Sequence, residues 1–245
     1  MSTPRLFNPD LSLGRYTLSP EESHHAVKVL RVRVGREVIL FDGVGGEASA
    51  TVVRVDRGRV RVNVLHVERH DREDAVALTL AVAPPRTHRQ TYMIEKCTEL
   101  GADAFRPIVT ERGVVRLATG IVEKWSRHVV EACKQCGRRW LPDVLPPQRF
   151  LDTLERIGDF DCALIAQPGP ASQPLVHVLT DRRRADSLLV WIGPEGGWTP
   201  VEIEAALCAG AVPTHLGKTR LRTETAAVAV TAVVKSQLTI DNRGT

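Results

Sequence analysis

Two short polar segments carry the residue types in this chain that could do chemistry. The first, Gly193–Gly197, reads Gly-Pro-Glu-Gly-Gly, and the second, Leu216–Ala226, places Arg222 two residues before Glu224. Glycine lets a backbone approach a ligand closely, arginine supplies a fixed cation, and a carboxylate accepts hydrogen bonds. These residue types predict a ligand-binding site that has a cation and a carboxylate beside it.

The surrounding pattern indicates where the two segments lie. Each follows an apolar run and precedes a helical pattern, and Thr199 with Glu202 matches a capping box at one of the two helix starts, while Thr223 is expected to cap the other. Open α/β sheets bind ligands where neighbouring strands end. Two alternatives stay open at this level: a tight strand-to-helix turn with nothing bound, and an Arg222 that only pairs with Glu224.

The order of strand-like and helix-like segments along the chain predicts two domains. Residues 1–70 alternate apolar and polar positions in strand-like runs, which favours a small barrel-like antiparallel module with one helix after Ser19. A charge run, His70–Asp74, separates it from residues 75–245, where apolar strands alternate with helical patterns. That alternation predicts an α/β domain with a mostly parallel sheet and helices on both faces.

Composition limits the class of protein. Apolar residues make 43% of the 245 and charged residues 25%, as in globular proteins, and no apolar run reaches the length of a membrane span. The first residues lack the apolar core of a signal peptide, so a cytoplasmic location is expected. No NAD-type GxGxxG motif occurs, which disfavours a nucleotide-dependent dehydrogenase.

The stretch from residue 112 to residue 139 is basic and contains a pair of cysteines. Such a cluster indicates phosphate binding or a solvated helix face. Cys133 and Cys136 form a CxxC, but no second CxxC or His pair completes a metal site, and the five cysteines do not suggest a disulfide framework. No metal site is predicted. The cations are Arg112, Arg116, Lys124, Arg127, Lys134, Arg138 and Arg139, against Glu123 and Glu131.

The chain resembles the SPOUT-class methyltransferases and, within them, the RsmE family, which methylates N3 of one uridine in 16S ribosomal RNA. The resemblance covers nearly the whole chain, and the two polar segments above are its most specific parts. The other segments that carry it are His24–Gly35 with Asp42-Gly43, Ile94–Gly101, Pro107–Arg112 and Glu131–Arg138. Two positions depart from the family pattern: Pro85-Arg86-Thr87 replaces a basic residue followed by glycine, and Gly113 replaces a serine or cysteine.

The resemblance implies a PUA-like RNA-binding barrel, a C-terminal trefoil knot, S-adenosylmethionine as methyl donor and a homodimer acting on 16S ribosomal RNA in the small subunit. It assigns catalysis to Arg222, which would stabilise charge on the uracil oxygens, and to Glu224, as general base or as the group that positions Arg222. The cofactor-binding residues it implies are Gln167, Pro168, Gly193, Glu195, Gly196, Gly197, Leu216, Gly217, Leu221 and Thr223. The RNA-binding residues are expected to be His25, Lys28, Arg31, Arg86, Arg112 and Arg138. Two alternatives remain within this resemblance, ribose 2′-O methylation and an inactive RNA-binding homologue.

Overall fold

The computed structural model describes residues 3–72, 76–113, 119–182 and 185–241, the side chains of the last three excepted. The chain divides into two units: residues 1–73 with 133–141, and residues 74–132 with 142–245. The predicted boundary at His70–Asp74 falls partly outside the described residues, as does Arg116 of the basic stretch.

The first unit is built on a five-stranded sheet in the order β1-β3-β4-β5-β2. Pairing is antiparallel except between β1 and β3, which run parallel. The hairpin between the two longest strands turns at Arg57 and Gly58, which both have positive φ, as a tight turn matched to strand twist requires. Alternate residues such as Val52, Val60 and Val62 are fully buried in its core. The strands are β1 Arg5–Phe7, β2 Gly14–Thr17, β3 Glu37–Phe41, β4 Gly46–Asp56 and β5 Arg59–Arg69.

One helix, α1 (Pro20–His24), continues into a π-helical turn at His25–Val29 and packs on this sheet. The hydroxyl of Ser19 accepts from the backbone N–H of Glu22, which confirms the predicted helix start. The carboxylate of Glu22 is buried, accepts from the N–H of Phe7 and forms an ion pair with Lys134. Residues 133–141 therefore belong to this unit through a buried charge pair as well as through backbone contacts.

The second unit contains an eight-stranded sheet in which each pairing between described strands is parallel. The strand order is β11-β13-β10-β12-β6-β7-β8, with β9 also pairing with β7. The strands are β6 Ala77–Val82, β7 Ala104–Val109, β8 Asp143–Val144, β9 Gln148–Arg149, β10 Cys162–Ala166, β11 Gln173–Pro174, β12 Ser187–Ile192 and β13 Val212–His215. The mostly parallel α/β sheet predicted from the sequence is confirmed.

Helices cover both faces of this sheet. On one face, Phe150 and Ala206 pack against Ala163, Ile165 and Trp191, all buried in a single core. On the other, α7 contacts β6 and β12 and packs against α2 and α5. The helices are α2 Thr87–Glu99, α3 Ile121–Cys136, whose residues from Cys133 onward belong to the first unit, α4 Phe150–Thr153 with a 3-10 turn at Leu154–Asp159, α5 Leu175–Thr180, α6 Pro200–Cys208 and α7 Thr223–Asp241.

Trp125 is fully buried, as its spacing with Ile121 and Val129 along a helix predicts. Its ring meets Phe105 edge-on, and its indole N–H donates to the side-chain oxygen of Gln90 at 3.1 Å. The trefoil knot expected from the resemblance stays a prediction. Among the helices of the described ranges, none has both the length and the apolar character needed to cross a membrane.

Candidate functional site

A cavity of about 400 Å³ lies at the carboxyl edge of the parallel sheet. Strands β13, β10 and β12 are neighbours, and they end at His215, Ala166 and Ile192 respectively. The turn that follows each of these strands contributes to the wall of the cavity. The apolar start of α7, with Ala226 and Val230, lines it as well. Both polar segments singled out in the sequence therefore converge here, as the strand-end argument predicted.

The glycine-bearing turn after β12 is folded around a tryptophan. A Cβ atom on Gly193 would lie 2.9 Å from the indole ring of Trp198, which is too close for a larger residue. The indole N–H of Trp198 donates to the carbonyl of Ala166 at 3.1 Å and so joins this turn to the end of β10. Gly197 has φ of +71°, a conformation in which side chains other than glycine are strained.

Two side chains from the second segment hold the first segment in place. The hydroxyl of Thr223 donates to the carbonyl of Gly193 at 2.9 Å. The guanidinium of Arg220 donates to the carbonyl of Glu195 at 3.0 Å. The two turns are therefore bonded to each other, and the cavity wall that they share is held together by tertiary contacts.

Arg112 reaches the same wall from the loop after β7. Its guanidinium lies 3.4 Å and 3.3 Å from the carbonyl oxygens of Gly196 and Trp198, and it lines the cavity. The capping box predicted at Thr199 and Glu202 is present, with the Glu202 carboxylate accepting from the N–H of Thr199 at 2.8 Å. The other oxygen of that carboxylate accepts from the N–H of Glu111 at 2.9 Å, which anchors the loop that carries Arg112.

Nine of the ten residues assigned to cofactor binding line the cavity. They are Gln167, Pro168, Gly193, Gly196, Gly197, Leu216, Gly217, Leu221 and Thr223. Glu195, the tenth, is not among the described residues that line the cavity. The two residues assigned to catalysis flank the lining residue Thr223: the side chain of Arg222 is exposed, whereas Glu224 is only 7% exposed.

Arg89 is a residue of this region that the sequence reasoning missed. It lies in the first turn of α2, and its guanidinium is 3.5 Å from the carboxylate of Glu224 and 3.7 Å from that of Glu195. Among the described residues, the ion-pair partner of Glu224 is Arg89 and not Arg222. The sequence pattern that could have identified Arg89 is a basic residue at the start of the helix after a predicted strand. That strand is β6, and its carboxyl end adjoins the carboxyl end of β12.

The residues assigned to RNA binding are distributed over both units. In the first unit, Lys28 and Arg31 are exposed, His25 and Arg138 are half-buried, and Arg31 has a positive φ of 51°. In the second, Arg86 is exposed at the start of α2, and Arg112 is exposed while also holding the glycine-bearing turn. These assignments stay predictions.

The CxxC pair lies at the end of α3. A hydrogen bond with Cys136 and burial raise the pKa of the Cys133 thiol, so it stays protonated at neutral pH and is a poor nucleophile and metal ligand. Within residues 3–72, 76–113, 119–182 and 185–241, no group of three or more His, Cys, Asp or Glu side chains is arranged to hold a metal ion. The geometry supports a binding cavity for an organic ligand in the second unit.

Comparison with known proteins identifies relatives along most of the chain. A family model described as an RNA methyltransferase domain matches residues 72–235, and one described as an RNA methyltransferase PUA domain matches residues 18–65. The chain is 34% identical over 223 residues to the ribosomal RNA small subunit methyltransferase E of Synechocystis sp., covering 91% of this chain and 73% of that protein. It is 31% identical over 230 residues to the protein of the same name from Bacillus subtilis, covering 91% and 90%.

The structure is also similar to a solved relative. A crystal structure of a ribosomal RNA small subunit methyltransferase E from Neisseria gonorrhoeae, bound to S-adenosyl methionine, matches with a TM-score of 0.85 and 32% sequence identity. The match covers 96% of this chain and 98% of that one. The shared fold therefore extends over both units.

Proposed function

Because the chain belongs to the ribosomal RNA small subunit methyltransferase E family, we propose that it transfers a methyl group from S-adenosylmethionine to N3 of one uridine in 16S ribosomal RNA. The observation that carries this proposal is the cavity at the ends of β10, β12 and β13, where nine residues assigned to the methyl donor from sequence meet. A solved relative of the same fold binds the same donor.

The cavity fits the chemistry of S-adenosylmethionine. Its volume of about 400 Å³ is in the range of small-molecule sites. Apolar side chains such as Leu216, Leu221 and Val230 offer surface to the adenine and to the methionine chain, and the backbone groups of the glycine-bearing turns offer hydrogen bonds. Arg112 and Arg220 also line the cavity and supply positive charge for the donor's carboxylate. The donor, when bound, supplies a methyl group activated by a positively charged sulfur.

The reaction exchanges a proton for a methyl group at N3. The N3–H bond of uracil breaks, N3 forms a bond to the methyl carbon, and the bond from that carbon to sulfur breaks with its electron pair remaining on sulfur. Loss of the proton places negative charge on the two carbonyl oxygens of uracil. A fixed cation at those oxygens lowers the energy of this charged state.

Arg222 supplies that cation in the proposed mechanism. Its side chain is exposed beside the cavity, so it is free to meet an incoming base, and it makes no ion pair among the described residues. Glu224, two residues later, acts either as acceptor of the N3 proton or as a group that orients the reacting partners. The target uridine has to leave its stack to reach these residues.

The side chains proposed to contact RNA are basic residues of both units. His25, Lys28, Arg31 and Arg138 belong to the first unit, and Arg86 and Arg112 to the second. Such side chains contact phosphates and bases of an RNA. In this proposal the chain acts as a homodimer, its substrate is the small ribosomal subunit, and the reaction takes place in the cytoplasm.

The experiment that tests this function uses methyl-labelled S-adenosylmethionine and small ribosomal subunits that lack the modification. After incubation with the purified chain, the RNA is digested to nucleosides and the label is identified. Label in 3-methyluridine is the expected result. Label in a 2′-O-methylated nucleoside would overturn the target atom, and cofactor binding without transfer to any RNA would overturn the acceptor. Absence of cofactor binding would favour an RNA-binding role.

A further inference from the structure

Arg89 bridges two carboxylates that come from the two polar segments beside the cavity. Glu195 lies in the glycine-bearing turn after β12, and Glu224 is the second residue of α7. The guanidinium of Arg89 is 3.7 Å from the first carboxylate and 3.5 Å from the second. The side chain of Arg89 is three-quarters buried, so this contact is shielded from water more than a surface ion pair is.

Glu224 has one oxygen to which the described part of the chain supplies no partner. Its side chain is 9% exposed, and its Oε1 atom is the one that faces Arg89. Its Oε2 atom is buried and accepts no hydrogen bond from any described residue. A buried, charged oxygen without a donor is costly, and native structures almost always satisfy such groups. This oxygen therefore needs a donor beyond those that the described residues of this chain provide.

The position of Glu224 indicates which donor that is. Its neighbour Thr223 lines the cavity proposed for the methyl donor, so Glu224, which is not among the described lining residues, lies beside the site that the acceptor base must reach. Uracil presents an N–H group at N3, the atom to be methylated, whereas cytosine presents a lone pair there. A carboxylate oxygen accepts from the N–H of uracil and repels the lone pair of cytosine.

We propose that Arg89 is a positioning residue that holds Oε1 of Glu224, so that Oε2 of the same carboxylate accepts a hydrogen bond from the N3–H of the target uridine. This inference rests on the proposed function and deepens it, because it assigns the selection of uracil to a pair of residues. Arg89 acts through Glu224 and does not touch the reacting atoms. Its second contact, with Glu195, fixes the guanidinium against the turn that the methyl donor contacts.

The test compares four variants in the full-length protein: Arg89→Ala, Arg89→Lys, Glu224→Gln and the double variant Arg89→Ala/Glu224→Gln. His88→Ala removes an exposed neighbour in the same helix turn and is the matched control. Calorimetry gives the affinity for S-adenosylmethionine, and methyl transfer to small subunits lacking the modification gives kcat and KM. Thermal unfolding of each variant checks that it is folded.

We expect Arg89→Ala to lower kcat about tenfold or more, as loss of a charge-assisted contact does, with cofactor affinity changed less than about threefold. Arg89→Lys should restore part of kcat, and the double variant should be no slower than Glu224→Gln, because the two residues act as a unit. Unchanged kcat in Arg89→Ala, or losses that multiply in the double variant, would overturn the inference. If the wild-type protein methylates no uridine, the proposed function fails instead.

Discussion

The hydroxyl of Thr223, the first residue of α7, donates a hydrogen bond to the carbonyl of Gly193, the first residue after β12, at 2.9 Å. Thirty residues separate the two along the chain. The bond joins the two polar segments at the point where both line the cavity. The shape of the cavity therefore depends on a contact between two turns.

Replacement of Thr223 by valine removes this bond while it keeps the size of the side chain. A hydrogen bond of this kind contributes about 0.5–1.5 kcal/mol, so we expect S-adenosylmethionine to bind up to about tenfold more weakly. Calorimetric titration measures the change. Thr225→Val, at an exposed position two residues later, is the control and should bind normally. Equal affinities in the two variants would show that the bond does not shape the cavity.

Replacement of Gly196 by alanine tests the packing of the Arg112 loop on the glycine-bearing turn. The added Cβ would lie 3.0 Å from the Cβ of Arg112 and 3.2 Å from its carbonyl oxygen, so the loop or the turn has to shift. We expect weaker cofactor binding and a free energy of unfolding lowered by about 1–3 kcal/mol, as overpacking gives. Urea unfolding and calorimetry measure both.

The control for this change is Gly158→Ala, because a Cβ there meets no atom within 4 Å. Its cofactor affinity should equal that of the wild type. If Gly196→Ala behaves like this control in both measurements, the contact between Arg112 and the turn is not tight.

Replacement of Arg222 by alanine tests the cation proposed for the uracil anion. The exposed side chain lies outside the cavity lining, so we expect kcat to fall by about a hundredfold or more while cofactor affinity changes little. Arg182→Ala removes the same charge from an exposed turn of the same unit and serves as control. Equal losses in kcat and in cofactor affinity would contradict a role in charge stabilisation.

Asp161 contributes to the way stability changes at acid pH. Its pKa is held below the ordinary value of 3.8, first by the hydroxyl of Ser187 and then by the backbone N–H groups of Ser187 and Asp186. Because the folded state favours the ionised carboxylate, this stabilisation is present above the ordinary pKa and is lost as the pH falls through the lowered one.

We therefore expect Asp161→Asn to be less stable than the wild type near neutral pH, with the difference shrinking below about pH 4. Urea unfolding from about pH 3 to about pH 7 measures it. Asp181→Asn, at another exposed position in the unit, is the control. A difference between Asp161→Asn and the wild type that stays constant down to the lowest pH would contradict the assignment.

The sequence by itself determined the local elements and the position of the site along the chain. Apolar runs at residues 76–83, 161–166 and 188–192 predict the strands that the structure has as β6, β10 and β12, and capping residues predict two helix starts, at Ser19 and Thr199. These features depend on side chains within a few residues of each other, which is why the local pattern is sufficient. The motifs also identified the family, which the comparisons confirm.

The sequence does not predict the shortest elements, because side chains within a few residues of each other do not specify them. Strands β8, β9 and β11 have two residues each, and α4 has four, so none carries a periodic pattern of its own. They form because the edge of the large sheet and the core around Phe150 provide partners for them. Elements of this kind are defined by the neighbours they pack on.

Only the tertiary structure decided which partners the charged residues have. Sequence proximity suggested that Glu224 pairs with Arg222, yet its carboxylate faces Arg89, which is 135 positions earlier in the chain by the difference of the two residue numbers. The Glu202 carboxylate likewise caps its own helix, as predicted, and also holds the N–H of Glu111. Strand order brings such distant residues together, and no local pattern encodes strand order, because it results from packing over the whole sheet.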